Sequence, residues 1–294
     1  MKNNEEKVKK ITFFSNSKLQ CPVCGDMFYR EELLSGGGRL IAGSLTDELR
    51  RLYEPSVRFG EIHPLIYPII VCPSCYYATF TEDFKAPDKD VVSKLESNTA
   101  ARRKTVSMLF PKLNFRDTRD LPEGTASYIL ALSTYECFKP HFMPTFKRGL
   151  CCLRAAWLFN DLHRKHPEEN YDYAAMIFYR KAKFFYSMAL ERDQKGQEAL
   201  NAKANFGPDT DKNYGYDGIL YLSGYLEYKY AEQQNMEIRK KSLEYIKRLF
   251  SKIFGIGKAS KDKPSVILEK AKDIYAKISE EVKTMEGNAA GETQ

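Results

Sequence analysis

The chain has 294 residues, of which 43% are hydrophobic and 29% charged, and its formal net charge is +7. This composition excludes a disordered or fibrous protein, predicts a globular one with a sizeable core, and leaves room for two domains. No apolar run approaches the roughly 20 residues that a membrane-spanning helix needs. The polar N-terminal segment does not resemble a secretory signal, so we expect a cytoplasmic protein with reduced thiols.

The first part of the chain is predicted to be a small β/loop module. Residues 1–10 are expected to form a flexible tail, and residues 11–84 contain short apolar runs broken by glycine and proline, such as SGGGRL and IHPLIYPIIVC. A helical pattern follows in DVVSKLESNTAARRKTVSMLF, with Asp90 as its expected N-cap and Pro111 after its end. Residues 85–119 are therefore expected to form a connecting helix and a linker. The segment NFRDTRDLPEG is the predicted domain boundary.

The rest of the chain is predicted to be helical. Apolar periodicity and breakers predict helices near residues 124–138, 143–164, 171–194, 214–232, 236–254 and 265–284. Residues 120–285 are therefore expected to form an antiparallel helical array, and residues 286–294 a flexible tail. Triplets such as Ala182, Tyr186 and Ala189 are typical of tetratricopeptide repeats, although their spacing is irregular. The predicted fold class is mainly α, with a small zinc-ribbon-like module before a tetratricopeptide-like array.

Four of the seven cysteines form two matched CPxC motifs, in QCPVCGDMF and VCPSCYYATF. Two such motifs supply the four thiolates that zinc takes in a tetrahedral shell. The predicted ligands are Cys21, Cys24, Cys72 and Cys75. The pairs are much farther apart than the usual 15–20 or so residues, so a long insertion must leave the site and return. Since four thiolates leave no open position, one structural zinc per chain is predicted.

The cysteines and histidines allow other interpretations. Two independent redox pairs are one alternative, but neither motif lies between a clear strand and a long helix, as a thioredoxin-like fold requires. Disulfides and a coincidence of two similar turns are the others. Cys137, Cys151 and Cys152 lie among apolar helical residues and are expected to pack in the core. His63 could replace one of the ligands, but with four cysteines already present it is expected to be a loop or surface residue.

The cysteine region resembles the bacterial family called domain of unknown function 2225. The resemblance is carried by CPVCGDMF, VCPSCYYATFTEDF and the preceding HPLIYPII, and it covers about residues 20–230. It implies an N-terminal double-CPxC module followed by tetratricopeptide-like helices, and it implies no activity. The family usually has glycine after the second CPxC motif, where this chain has Tyr76. Either that turn is strained, or it does not need a positive φ.

A basic segment runs from Glu237 to Lys263, with nine Lys/Arg against three Asp/Glu. Its first part is predicted to be an amphipathic helix with Ile238, Ser242 and Ile246 on the apolar stripe. The residues that could bind an acidic partner are Arg239, Lys240, Lys241, Lys247 and Arg248. The alternative, which we favour, is an ordinary helix with a solvated basic face.

No catalytic triad, carboxylate pair or complete phosphate-loop motif is recognisable in the sequence. We therefore expect a zinc-binding, non-enzymatic adaptor whose helical domain binds another protein, with no small-molecule substrate. One alternative is a protein that binds nucleic acid or an anionic membrane through the zinc module and the helix 236–254. The other is an enzyme of unrecognised type.

Overall fold

The computed structural model describes residues 10–201, 204–255 and 264–291. Its architecture is mainly α, with a small β/loop module on the N-terminal side, and this confirms the predicted fold class at that level. The last helix continues six residues into the predicted C-terminal tail. No helix in the described ranges combines the length and apolar character needed to cross a bilayer.

The strands of the module pair as three antiparallel hairpins, β1 with β2, β3 with β4, and β5 with β6. Their bounds are β1 (Thr12–Gln20), β2 (Met27–Leu33), β3 (Ile41–Leu45), β4 (Arg51–Glu54), β5 (Ile69–Val71) and β6 (Ala78–Phe80). The predicted long insertion between the two cysteine motifs contains the β3–β4 hairpin and a 3-10 turn at Pro64–Ile66. The prolines of this stretch exclude an α-helix, as expected.

Eight α-helices follow the module within the described residues. Their bounds are α1 (Lys89–Ser97), α2 (Thr99–Leu109), α3 (Leu121–Tyr135), α4 (Pro144–Lys165), α5 (Tyr171–Gln194), α6 (Gly215–Tyr230), α7 (Met236–Phe254) and α8 (Ser265–Gly291). From α3 to α8, each helix packs against the next one in the chain. The six helices predicted beyond residue 120 are all present. A regular tetratricopeptide repeat stays a prediction.

The helical pattern before Pro111 forms two helices, not one. Asp88, rather than the predicted Asp90, is the N-cap of α1, and its side chain accepts a hydrogen bond from the Val91 N–H at 3.0 Å. Asp88 has the extended backbone that an N-cap requires, whereas Asp90 lies inside the first turn, where its negative charge still suits the helix dipole. The chain changes direction at Asn98, between α1 and α2.

The apolar core runs without interruption from the cysteine module into the helices. Helix α3 packs directly on β5 and β6. Gly124 allows this, because a Cβ there would lie only 2.7 Å from Ile66 Cγ1. The Tyr128 hydroxyl donates to the Leu65 carbonyl at 2.8 Å, and the Phe80 N–H donates to the Tyr135 hydroxyl at 3.0 Å. The module is therefore built on the helical part across the predicted boundary.

Candidate metal centre

Each CPxC motif forms the turn of a β-hairpin, and the two turns have the same hydrogen bonds. The N–H of the first cysteine, Cys21 or Cys72, donates to the carbonyl five residues later, at 2.9 and 2.8 Å. Its carbonyl accepts from the N–H four residues later, that of Gly25 at 3.0 Å and that of Tyr76 at 2.9 Å. This pattern aims both cysteine side chains of a motif to one side of its hairpin.

The structure brings all four predicted cysteines together, with their sulfur atoms within 4.8 Å of one another. The Cys21 and Cys75 sulfurs lie 3.6 Å apart, as do those of Cys24 and Cys72. Both of these contacts join one motif to the other, so the cluster belongs to the pair of hairpins. A tetrahedral shell with Zn–S bonds of about 2.3 Å has S···S edges of about 3.8 Å. The four residues present therefore fit a single tetrahedral ion.

The four clustered thiols resist full ionisation on their own. Hydrogen bonding with Cys72, together with burial, raises the pKa of the Cys21 thiol to about 12, and hydrogen bonding with Cys21 and burial do the same for Cys75. Burial also opposes ionisation of Cys24, but hydrogen bonds from the Asp26 backbone and the other thiols outweigh it and lower the Cys24 pKa. A divalent cation removes this conflict, because it compensates the four thiolates at once.

Polar side chains connect the two turns beside the sulfurs. Asp26 follows the first motif, and its Oδ2 accepts hydrogen bonds from Ser74 Oγ of the second motif at 2.6 Å and from Arg116 Nη2 at 3.0 Å. The hydrogen bond from Ser74 and the charge of Arg116 lower the pKa of Asp26. Because this contact spans both hairpins, it holds the four cysteines in register before any ion binds.

Two arginines of α2 also contact the second turn. Arg102 is buried and donates to the Cys75 carbonyl at 3.1 Å. Arg103 donates to the Ser74 carbonyl at 3.3 Å, and its guanidinium lies 5.2 Å from the Tyr76 ring centre. A divalent ion with four thiolates carries a net charge of −2, which these guanidinium groups offset. Sequence reasoning missed them, since neither stands in a motif.

The second turn adopts a positive φ although it has no glycine. Gly25 has φ +75° and Tyr76 has φ +58°. The Tyr76 ring packs edge to face on Phe115, with 5.2 Å between ring centres, in addition to its contact with Arg103. Of the two possibilities raised by the sequence, a strained turn is therefore the one that occurs.

The remaining cysteines and His63 lie where the sequence placed them, but the His63 side chain is less exposed than a surface residue would be. Cys151 and Cys152 are fully buried in the core, and Cys137 is half-buried. His63 lies in a loop, as predicted, yet its side chain is buried, with Nδ1 3.6 Å from the Oδ2 of Asp161. It belongs to a charged network that includes Arg50, and it is not near enough to the sulfurs to join their cluster.

One member of the predicted basic surface is not on the surface. Arg239 is only 3% exposed. Its guanidinium donates to both carboxylate oxygens of Glu281 in α8, at 2.7 and 3.0 Å, and to the Tyr228 carbonyl at 2.9 Å. Ile238, predicted on the apolar stripe, is 49% exposed. At the N-terminal end of α7 the buried position is therefore Arg239 and not the predicted Ile238, because Arg239 pairs with a carboxylate of the neighbouring helix.

The other predicted cations of α7 stay at or near the surface. Lys240, Lys241 and Arg248 are exposed, and Lys241 pairs with Glu237 at 2.7 Å. Lys247 is half-buried, with its ammonium 5.5 Å from the Tyr275 ring centre. Three further lysines of the basic segment, Lys258, Lys261 and Lys263, lie outside the described residues.

The whole arrangement has relatives among bacterial proteins. A family model described as "Uncharacterized protein conserved in bacteria (DUF2225)" matches residues 14–278. A protein of Borreliella burgdorferi titled "Uncharacterized protein" is 46% identical over 278 residues, which is 95% of this chain and 100% of that protein. No solved structure matches. Both matches span the cysteine module and most of the helices.

Proposed function

Since the chain belongs to the DUF2225 family of uncharacterized bacterial proteins, whose description names no activity, we propose its function from the site: a zinc-binding, non-enzymatic adaptor for another protein. One observation carries the proposal, the cluster of four sulfurs contributed equally by two hairpins. A site of this kind holds two loops together and has no position left for water or substrate. In this proposal the ion is structural.

Zinc is the ion that best suits the donor set. Four thiolates at tetrahedral spacing select zinc or iron–sulfur chemistry over magnesium, calcium or manganese, which prefer oxygen ligands. Zinc has no redox chemistry and no preferred d-electron geometry, and it fits a site whose role is to fasten two turns. Elemental analysis of protein purified under reducing conditions tests this choice. One zinc per chain is expected, and iron in its place would overturn the choice.

The proposed partner surface lies on α5. Tyr173, Met176 and Phe184 are exposed and, at spacings of three and eight residues, lie along one side of the helix. Arg180 is exposed on the same helix. Exposed aromatic residues with an arginine among them are the composition that dominates binding energy in protein interfaces.

A pull-down with matched variants tests the adaptor role. Tyr173, Met176 and Phe184 are changed together to Ser in one variant, and in the control Met108 and Leu109, exposed on α2, are changed to Ser. The proposal predicts a saturable complex with one purified protein that is lost in the α5 variant and kept in the control. Equal binding by both variants, or turnover of a substrate by the purified protein, would contradict it.

The alternative is binding of nucleic acid or an anionic membrane. The exposed cations Lys240, Lys241 and Arg248 support it, and a salt-dependent affinity for either ligand would be its signature. We prefer the adaptor, because one of the five cations on which the alternative was based, Arg239, is used inside the protein.

A further inference from the structure

A cavity of about 570 Å³ lies between the β5–β6 hairpin, α4 and the loop before α6. Phe80, Phe146 and Leu150 form apolar walls, and Arg154 and Asp209 also line it. This volume is in the range of about 300–1,000 Å³ that small-molecule sites occupy. None of the four clustered cysteines lines this cavity.

Arg154 and Asp209 are buried and oppositely charged, and each charge favours the other, although no direct ion pair joins them in the part of the chain that the structure describes. Arg154 is 5% exposed and Asp209 is 2% exposed. The Arg154 Nε donates to the Pro208 carbonyl at 2.7 Å, and the Tyr128 hydroxyl also favours the charged guanidinium. Asp209 accepts backbone N–H groups, that of Arg51 at 2.8 Å among them.

Both charges lie beside the same stretch of backbone. A Cβ on Gly207 would lie 3.3 Å from the Arg154 Nη2 and 3.3 Å from the Asp209 backbone N. The Arg154 guanidinium and the Asp209 backbone therefore both lie against Gly207. The other cation in the lining, Lys147, is already matched by Asp83.

A buried charge is costly unless an opposite charge or hydrogen bonds compensate it. A carboxylate oxygen has two lone pairs, so Asp209 keeps capacity beyond its contacts with the Arg51 N–H and with Thr210. A guanidinium has five N–H donors, so Arg154 keeps capacity beyond its contacts with the Pro208 carbonyl and the Tyr128 hydroxyl. A ligand with one positive and one negative group satisfies both side chains. A ligand with only one charge pairs with only one of the two side chains.

We propose that this cavity binds a free amino acid with an apolar side chain. Its carboxylate pairs with Arg154, its ammonium group pairs with Asp209, and its side chain packs against Phe80, Phe146 and Leu150. The proposal goes beyond the adaptor function and does not depend on it. Binding is reversible, and no covalent step is involved.

Calorimetric titration of the full, metal-loaded chain with four probes tests the charge requirement. L-phenylalanine and L-leucine carry both charges, N-acetyl-L-phenylalanine lacks the ammonium, and L-phenylalaninamide lacks the carboxylate. Both amino acids are expected to bind saturably, and each modified compound about tenfold more weakly or worse. No saturable binding of either amino acid, or equal affinity for a modified compound, would overturn the proposal.

Variants assign each charge to its side chain. Arg154→Gln is expected to remove the preference for L-phenylalanine over its amide, and Asp209→Asn the preference over its N-acetyl derivative. Structural damage would weaken all probes alike and would not produce this crossed pattern, so uniform weakening counts against the assignment. Arg58→Gln, an exposed arginine that does not line the cavity, is the matched control and should keep wild-type binding.

A third variant covers the case in which Arg154→Gln does not fold. Thr210 is exposed and lines the cavity, and Thr210→Trp adds bulk there while keeping both charges, at the loss of one hydrogen bond from Thr210 Oγ1 to Asp209 Oδ1 at 3.3 Å. Loss of amino-acid binding with an unchanged circular dichroism spectrum supports the site. Wild-type affinity in this variant would overturn it.

Discussion

Arg119 and Glu31, 88 residues apart in the chain, form a buried ion pair that fastens the segment before α3 to strand β2. The Arg119 Nε lies 3.1 Å from Glu31 Oε2, and the two side chains are 6% and 3% exposed. The Arg119 backbone N–H donates to the same oxygen at 3.0 Å, and its Nη1 donates to the Ile69 carbonyl at 2.9 Å. The segment predicted as a linker is therefore anchored to two hairpins.

This anchor predicts that two arginines of the same segment differ greatly in their contribution to the free energy of unfolding. Arg119→Ala leaves the Glu31 carboxylate buried without its partner, and the free energy of unfolding should fall by about 3–5 kcal/mol. Arg116→Ala is the control, because Arg116 is 55% exposed and a pair of that kind contributes about 0–1 kcal/mol. Urea denaturation measures both. Losses of equal size would show that the Arg119 pair has no special role.

The cysteine cluster predicts which cysteine substitutions release the bound metal. Cys24→Ser and Cys72→Ser should each lose nearly all bound zinc, because three thiolates from two separate turns no longer close the shell. Cys137→Ser, which changes a half-buried cysteine outside the cluster, should keep one zinc per chain. Since the core is continuous, the loss should also weaken the packing of α3, seen as a lower melting temperature of the helical signal. Full zinc retention in Cys72→Ser would refute the four-sulfur site.

The positive-φ residues of the two cysteine turns stabilise the protein for different reasons, Gly25 through its backbone freedom and Tyr76 through its side-chain contacts. Gly25→Ala should lower the free energy of unfolding by about 1 kcal/mol, because an L side chain at φ +75° is strained even though space is open. Tyr76→Gly relieves a similar strain but removes the contacts with Phe115 and Arg103, so we expect a net loss of stability. Denaturation of both variants tests this. A more stable Tyr76→Gly protein would mean that the aromatic contacts contribute little.

The charged network around Asp161 predicts a loss of stability in acid. Burial by itself would raise the pKa of Asp161, but the nearby His63 ring, with its Nδ1 3.6 Å away, and the charge and hydrogen bonds of Arg50 outweigh it and hold this pKa well below its usual range. A carboxyl whose pKa is depressed by folding stabilises the protein above its unfolded pKa of about 3.9, and this stabilisation is lost as pH falls below that value.

Asp161→Asn should therefore lower the free energy of unfolding at pH 7 and make its decline below about pH 5 shallower than in the wild type. Asp172→Asn, an exposed aspartate in the first turn of α5, is the control and should keep the wild-type slope. Denaturation midpoints between pH 3 and pH 7 measure both. Identical acid slopes in all three proteins would contradict the role of Asp161.

The cations of α7 fall into two groups, one buried and one exposed, and we expect their substitutions to have different effects. Arg239→Gln should destabilise the contact between α7 and α8 by about 1–3 kcal/mol, because the Glu281 carboxylate loses a two-point hydrogen bond. Changing Lys240, Lys241 and Arg248 to Gln should leave the melting temperature nearly unchanged. If the basic face binds an acidic partner, this triple variant should bind anionic liposomes, RNA or the protein partner less tightly and with a weaker salt dependence. Wild-type binding to all of them would leave this face a solvated surface.

Much of the secondary structure could be predicted from the sequence, because its signals lie within a few residues. Apolar periodicity and the breakers between helices place α4, α5 and α7 within about two residues of their observed bounds. The N-cap of α1 was misplaced by two residues, since two aspartates compete for that position and only backbone conformation separates them. The matched CPxC motifs likewise identify the four cysteines that cluster, because a CPxC turn is a local structure that needs a fixed spacing.

The sequence by itself therefore determined the mainly α fold, the helices and the four cysteines of the candidate site. Only the tertiary structure decided which cations are buried, that Tyr76 holds a strained turn through Phe115, and that Arg154 and Asp209 meet at one cavity. The physical reason is the range of the interactions. Helix and turn formation depend on neighbours along the chain, whereas the burial of a side chain depends on partners that folding brings beside it. Arg239, for example, pairs with Glu281, which lies 42 residues away in the chain.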